Sequence, residues 1–186
     1  MSPLLINGRT EKDLIRACLQ GERTAQKEIF QMYSGKMLAI CLRYTRNRQE
    51  AEDIFQDGFV KVFTHLHEFE SQGSFEGWVR KIMIHTALRT NKKKYISHEE
   101  TGLDHIPEDM VLPEVFSLLS EAELIQLISS LPDGYRIVFN MFAIEGFSHR
   151  EISEMLGIEE STSRSQLAKA RKLLQEKVLS HYNQAV

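Results

Sequence analysis

Apolar residues along this chain recur three and four positions apart, the period of one helix face, and no stretch shows the alternation a half-buried strand requires. Leu14, Cys18 and Leu19 mark a first short helix, closed by Gly21. Ile29, Phe30, Tyr33, Met37, Ile40, Cys41 and Tyr44 mark a longer second helix. Its middle is expected to be weakened by Ser34 and Gly35, since a helical glycine costs about 1 kcal/mol against alanine. A third helix begins near Gln49, with Ile54, Phe55, Phe59, Val62, Phe63 and Leu66 as its apolar stripe and Glu50, Glu52, Asp53 and Asp57 on its outer face. Residues 70–74, Glu-Ser-Gln-Gly-Ser, read as a loop. A fourth helix then carries Phe75, Trp78, Val79, Ile82, Met83 and Leu88 and ends in the lysines of 92–94. Together these predict a helical domain of about 90 residues.

From residue 96 to 113 the pattern fades, and Gly102, Pro107 and Pro113 stand among many acids, which predicts a linker. Periodicity returns near Val115. Pro132 suits the first turn of the next helix, where a missing N–H costs little. Tyr135, Val138, Phe139 and Phe142 form that helix's apolar face, and Gly146 ends it. The last 40 residues carry the sharpest local signal. Ser148 and Glu151 have capping-box spacing, Ile152, Met155 and Leu156 point inward, and Gly157 permits the left-handed residue that stops a helix. A second helix follows from about Glu160, with Ser163, Leu167, Ala170 and Leu174 on its inner stripe. Two helices about a glycine turn, the second polar and basic outside, predict a helix-turn-helix. On that geometry Thr162, Arg164, Ser165, Gln166 and Lys169 face outward to base edges or phosphates, and Arg150 stands beside them on the preceding helix.

Composition changes this picture in one respect. The 186 residues have a net charge of −3, yet the charge is segregated. Arg80, Lys81, Arg89, Lys92, Lys93 and Lys94 lie in a stretch free of acids, whereas residues 96–125 contain eight acids and no Lys or Arg. Arg164, Lys169, Arg171, Lys172 and Lys177 form a second basic block. Two basic surfaces joined by an acidic connector suggest a polyanion partner; solvated helix faces are the plainer reading of the same charges. Catalysis finds no footing: there is no His-Glu-x-x-His, Cys-x-x-Cys, phosphate-cradling glycine loop or nucleophile elbow. No metal or other cofactor is expected, and Cys18 and Cys41 read as buried thiols. Without a secretory signal or a long apolar run, the chain is expected in the cytoplasm.

Residues 53–63, DIFQDGFVKVF, resemble region 2.2 of bacterial extracytoplasmic-function (ECF) sigma factors, and 75–82, FEGWVRKI, resemble their region 2.3–2.4 helix. Leu131-Pro132-Asp133-Gly134-Tyr135-Arg136, then Glu145-Gly146-Phe147-Ser148, Gly157-Ile158 and residues 161–171, are similar to region 4. The blocks keep the family's order and run from about Glu11 to Tyr182.

The resemblance implies an all-α protein of two helical domains: a region 2-like bundle (1–95), an acidic linker (96–114) and a region 4-like helix-turn-helix domain (115–186). It implies an alternative sigma factor that is not an enzyme. Such a factor binds core RNA polymerase through the β′ coiled coil and the β flap, reads the promoter −35 and −10 elements and assists strand opening. By the same resemblance Asp53, Gln56 and Asp57 contact polymerase. Arg80, Lys81, His85, Arg89 and Lys92 face the −10 element, a flipped base lodges near residues 67–74, and the −35 element is read by Arg150, Thr162, Arg164, Ser165, Gln166 and Lys169. An anti-sigma factor is an expected further partner. This sequence departs from the family's usual residues at His85 and Arg89 on the −10 helix, at Gln166 on the recognition helix, and at Glu159 at that helix's cap, where a carboxylate still suits the helix dipole. Phe75 and Trp78 are placed to stack on bases, although core packing is the simpler role for Trp78. A stand-alone helix-turn-helix regulator that binds duplex DNA as a dimer is the alternative; it accounts for the last 40 residues but not for the acidic third helix and basic fourth helix together.

Overall fold

A computed structural model describes residues 8–96 and 120–184 of the chain. Among these residues the regular elements are all helices, and the chain divides into two compact units, Met1–Thr90 and Asn91–Val186. The acidic connector of 97–114 and the first residues of the second expected domain, 115–119, lie outside the described residues.

In the first unit, α1 (Glu11–Leu19) starts at a capping box in which Thr10 and Asp13 satisfy each other's backbone N–H groups. α2 (Arg23–Tyr44) and α3 (Arg48–Thr64) pack on one another, and α1 packs on α2. A short 3-10 turn at Leu66–Glu68 leads to α4 (Phe75–Ile96). The core is formed by Leu14, Ile29, Met37, Ile54, Val62, Phe75, Met83 and Ile84, all buried. Helix α2 runs through Ser34 and Gly35 without a break, against the expected weakening. Tyr33 and Met37, buried on either side of the pair, fix that stretch by packing, and tertiary burial outweighs local propensity. Leu19, assigned to the inner stripe, is exposed on the last turn of α1. The Tyr33 hydroxyl donates to the Glu11 carboxylate and ties α2 to α1.

The second unit comprises α5 (Glu121–Ser129), α6 (Asp133–Phe139), α7 (His149–Leu156) and α8 (Glu160–Gln184), with α5, α6 and α7 packed on α8. Ser120 and Glu123 cap α5 reciprocally. Pro132 occupies the cap position of α6, one residue before the first helical turn. Beyond Phe139 the helix widens into a π turn, Asn140–Ile144, and Gly146 (φ +77°) releases the chain toward α7. The core joins Ile137, Val138 and Met141 to Ile152, Ala170, Leu174 and Val178.

Candidate functional site

On α3 the buried positions Ala51, Ile54, Gly58 and Val62 turn toward the core, and Asp53, Gln56 and Asp57 lie exposed on the opposite side. Spacings of three and four place these acceptors one above another on a single face. Val60 continues the same line, 65% exposed, so the acidic stripe ends in an apolar residue that sequence periodicity did not single out. The helix is held firmly beneath them. Asn47 caps its start by accepting from Glu50 N at 2.8 Å, and the Phe59 ring lies 4.7 Å from Phe30 and 5.0 Å from Phe55. Gly58 is needed for close approach, since a Cβ there would overlap Met83 Sδ of α4.

Helix α4 turns Val79, Met83, Ala87 and Leu88 inward and leaves Lys81, His85 and Arg89 exposed at four-residue steps along one edge. Arg80 is half-buried beside that edge. Lys92 lies on the helix's last turns, but its side chain is outside the described residues. Partial burial, with Lys81 beside it, holds the His85 imidazole below its ordinary pKa, so near neutral pH the ring is an uncharged hydrogen-bonding group rather than a cation. Lys61 crosses from α3 to donate to Thr86 Oγ1 at 3.0 Å. A small cleft of about 210 Å³ opens at this edge, with Trp78 and Ile82 as its apolar part, Lys61 and Arg89 as its cations, the imidazoles of His65 and His85, and one carboxylate, Glu68.

The loop before α4 is short and pinned at both ends. Phe69 contacts Phe75 at 5.1 Å and Trp78 at 5.5 Å, and Trp78 stacks on Phe75 at 5.7 Å. Between them Ser71 (φ +58°) and Gly73 (φ +104°) take left-handed conformations, which cost a non-glycine residue about 1–2 kcal/mol. Phe75 is therefore core. Trp78 is half-buried, packed on two aromatic rings with part of its surface on the cleft. The role of Phe69 was not evident from periodicity, because it lies outside any helix.

In the second unit, Ser148 accepts from Glu151 N while Glu151 accepts from Ser148 N at 2.8 Å, the capping box expected from the sequence. Gly157 ends α7 at φ +70° and its N–H bonds to Ser153 O. His149 is fixed twice: its ring stacks on Phe142 at 4.4 Å, and Nδ1 lies 2.9 Å from the hydroxyl of buried Ser163 on α8. Arg164 and Ser165 are exposed at the start of α8, Thr162 and Lys169 are half-buried, and Arg150 is exposed on α7. Arg150 pairs with Glu154 at 3.2 Å and Arg164 with Glu160 at 3.3 Å.

Gln166 requires correction. It does not point outward: it is 9% exposed and its amide packs against Gly134 of α6. The buried residues of α8 are Ser163, Gln166, Leu167, Ala168, Ala170, Leu174 and Val178, an arc wider on both edges than the stripe of Ser163, Leu167, Ala170 and Leu174. A polar side chain within a core-facing arc is invisible to a hydrophobic pattern. The same blindness hid Asp133 and Arg136, which form an ion pair at 2.7 Å with Arg136 only 2% exposed.

No helix among the described residues is long and apolar enough to cross a membrane. Two domain profiles match the chain in order: "Sigma-70 region 2" over residues 29–95 and "Sigma-70, region 4" over 121–174. The ECF RNA polymerase sigma factor SigW of Bacillus subtilis is 31% identical over 179 residues, covering 90% of this chain and 96% of that protein. The RNA polymerase sigma-H factor of Pseudomonas aeruginosa is 25% identical, covering 91% and 94%. Two solved structures share the fold at a TM-score of 0.51 each. CnrH, in complex with the cytosolic domain of CnrY, is 17% identical and covers 90% of this chain and 96% of its own. The sigma factor RpoE of Bartonella quintana, in complex with the anti-sigma factor NepR, is 18% identical and covers 83% and 96%. With the region 2 and region 4 profiles in order and likeness to SigW over 90% of its length, the chain belongs to the ECF family of RNA polymerase sigma factors, alternative sigma factors that act with core RNA polymerase at promoter DNA to direct transcription initiation.

Proposed function

We propose that the two ends of this chain divide initiation between them: residues 1–95 dock on core polymerase and engage the −10 element, residues 115–186 read the −35 duplex, and 96–114 tether the two. The observation that carries the docking assignment is the exposed line of Asp53, Gln56 and Asp57 on α3. Carboxylates and an amide on one rigid helix face suit charge-assisted hydrogen bonds from the arginines of the β′ coiled coil. The −10 strand then meets the Lys81, His85 and Arg89 edge of α4, with Arg80 and Lys92 beside it, near the loop of 67–74. Cations there supply a salt-dependent phosphate term, while neutral His85 offers a hydrogen bond to a base. In the second unit, Arg164 and Ser165 lead the recognition helix, with Thr162, Lys169 and Arg150 flanking them. Gln166 acts from within, seating α8 on α6. The β flap is the second polymerase contact. The protein works in the cytoplasm, performs no chemistry of its own, and leaves bond formation to the polymerase. An anti-sigma factor covering these surfaces would hold it inactive.

Size-exclusion chromatography with bacterial core polymerase tests the docking assignment. The native chain co-elutes with core, and the Asp53→Arg, Asp57→Arg double variant, shown folded by its circular dichroism, elutes free. Co-elution of the folded variant would remove α3 as the docking element.

A further inference from the structure

Cations and imidazoles gather at the exposed edge of α4, and the ones in line along it have no partners. Lys81, His85 and Arg89 follow one another at steps of four and make no hydrogen bond or ion pair among the described residues. Their neighbours in the cleft are engaged. Lys61 donates to Thr86 Oγ1 at 3.0 Å. The His65 ring is pinned at the end of α3: Nδ1 lies 3.0 Å from Lys61 O, the carbonyl that also accepts from His65 N at 2.9 Å. A carbonyl only accepts, so Nδ1 carries the proton and Nε2 is left as an acceptor. Glu68, the carboxylate of the cleft, lies 3.8 Å from His67 Nε2.

His85 therefore faces Lys81 and Arg89 from its own helix, Lys61 and His65 from the end of α3, and Glu68 from the turn that follows. Cations outnumber the single carboxylate, and nothing anionic is bonded to the ring. Partial burial and then Lys81 disfavour the imidazolium in the free chain. A phosphate set against this edge reverses that balance, because an anion within about 4–6 Å of an imidazole favours its charged form. We propose that the −10 strand is bound together with a proton, taken up from solvent by His85 as a backbone phosphate comes to rest between His85 and Arg89. The proposal rests on the reading that the α4 edge meets the −10 strand, and it adds to that reading a grip that depends on pH. At about pH 8 the ring serves as a neutral hydrogen-bonding group, and as pH falls toward about 6 it becomes a further cation facing the strand. The complex holds more protons than its free partners, so binding tightens as pH falls, and the gain is lost as pH rises through the pKa of the bound ring.

The test uses holoenzyme assembled from core polymerase and the full chain. Its ligand is a fork-junction DNA whose −10 segment is single-stranded, and fluorescence anisotropy is read at constant ionic strength between about pH 6 and about pH 8. The native chain is expected to bind about three- to tenfold more tightly at the lower pH, with uptake of no more than about one proton. Its salt slope should also be steeper at the lower pH, since one more cation faces the strand. His85→Asn keeps a neutral hydrogen-bonding group and is expected to lose both effects, with circular dichroism showing it folded at each pH. His65→Asn is expected to retain both. Loss of the pH dependence in His65→Asn and its survival in His85→Asn would overturn the assignment to His85. Weakened binding by Arg89→Gln, together with the same pH profile in the native chain and His85→Asn, would overturn proton uptake alone. Native binding by both Arg89→Gln and His85→Asn at every pH would overturn the −10 reading of α4 and the proton uptake with it.

Discussion

Asp133 and Arg136 are ion-paired and almost wholly buried, so removing one partner leaves the other charge in a poor solvent. Arg136→Ala is expected to cost about 3–5 kcal/mol in urea unfolding, and the paired replacement Asp133→Asn with Arg136→Met markedly less. Gly58→Ala sets about 1 kcal/mol of gained helix propensity against about 1–3 kcal/mol for overpacking fully buried Met83. A net loss is expected, and a gain in denaturation midpoint would mean that Met83 moves aside cheaply. Burial pushes the Cys41 thiol up to about 12, whereas an unfolded cysteine titrates near 8.5. The folded chain therefore holds a proton that the unfolded chain releases, so this contribution to stability is complete below about pH 8.5 and is lost as pH rises toward 12. Cys41→Ala should flatten the fall in stability between about pH 8.5 and 9.5, measured by urea titration at each pH.

Capping and turn chemistry position the surfaces at the scale of single helices. The Ser148 box starts α7 and the left-handed Gly157 stops it, so the angle at which α8 leaves the turn depends on both. Ser148→Ala is expected to cost about 0.5–2 kcal/mol, seen first as faster amide exchange in α7. Gly157→Ala forces a Cβ into a left-handed residue, costs about 1–2 kcal/mol, and should weaken promoter binding through a displaced α8 while leaving co-elution with core polymerase intact. The capping box and the glycine stop were legible in the sequence because each is a local rule satisfied within four residues. The π turn after Phe139 was not: it places Phe142 beneath His149, a partnership between elements.

At the scale of the whole chain, acids line the exposed face of α3 and cations the edge of α4 and the start of α8, and the proposed division of labour gives the first to polymerase and the others to promoter DNA. Arg89→Gln and Arg164→Gln should therefore fail differently in the assembled holoenzyme. The first is expected to reduce permanganate reactivity of opened −10 thymines, the second to lower initial duplex binding; identical defects would contradict the division of labour proposed for the two ends. Hydrophobic spacing, glycine and proline punctuation and capping residues were enough to determine an all-helical chain, the places where most helices begin and end, and the acidic and basic faces of α3 and α4. These are properties of periods and of neighbours a few residues apart, and a linear sequence carries them in full. Tertiary structure alone decided that Gln166 lies inside against Gly134 and Arg136 on Asp133, whereas Ser163, placed on the inner stripe by its spacing, gained from the fold only its partner His149. It likewise decided that α2 passes unbroken through Ser34 and Gly35 and that Phe69 pins the loop before α4. These partnerships cross between elements, reach into a loop or sit on polar side chains, and a pattern of apolar spacing within one helix cannot register them; only the packed core determines whether such a group is satisfied or exposed.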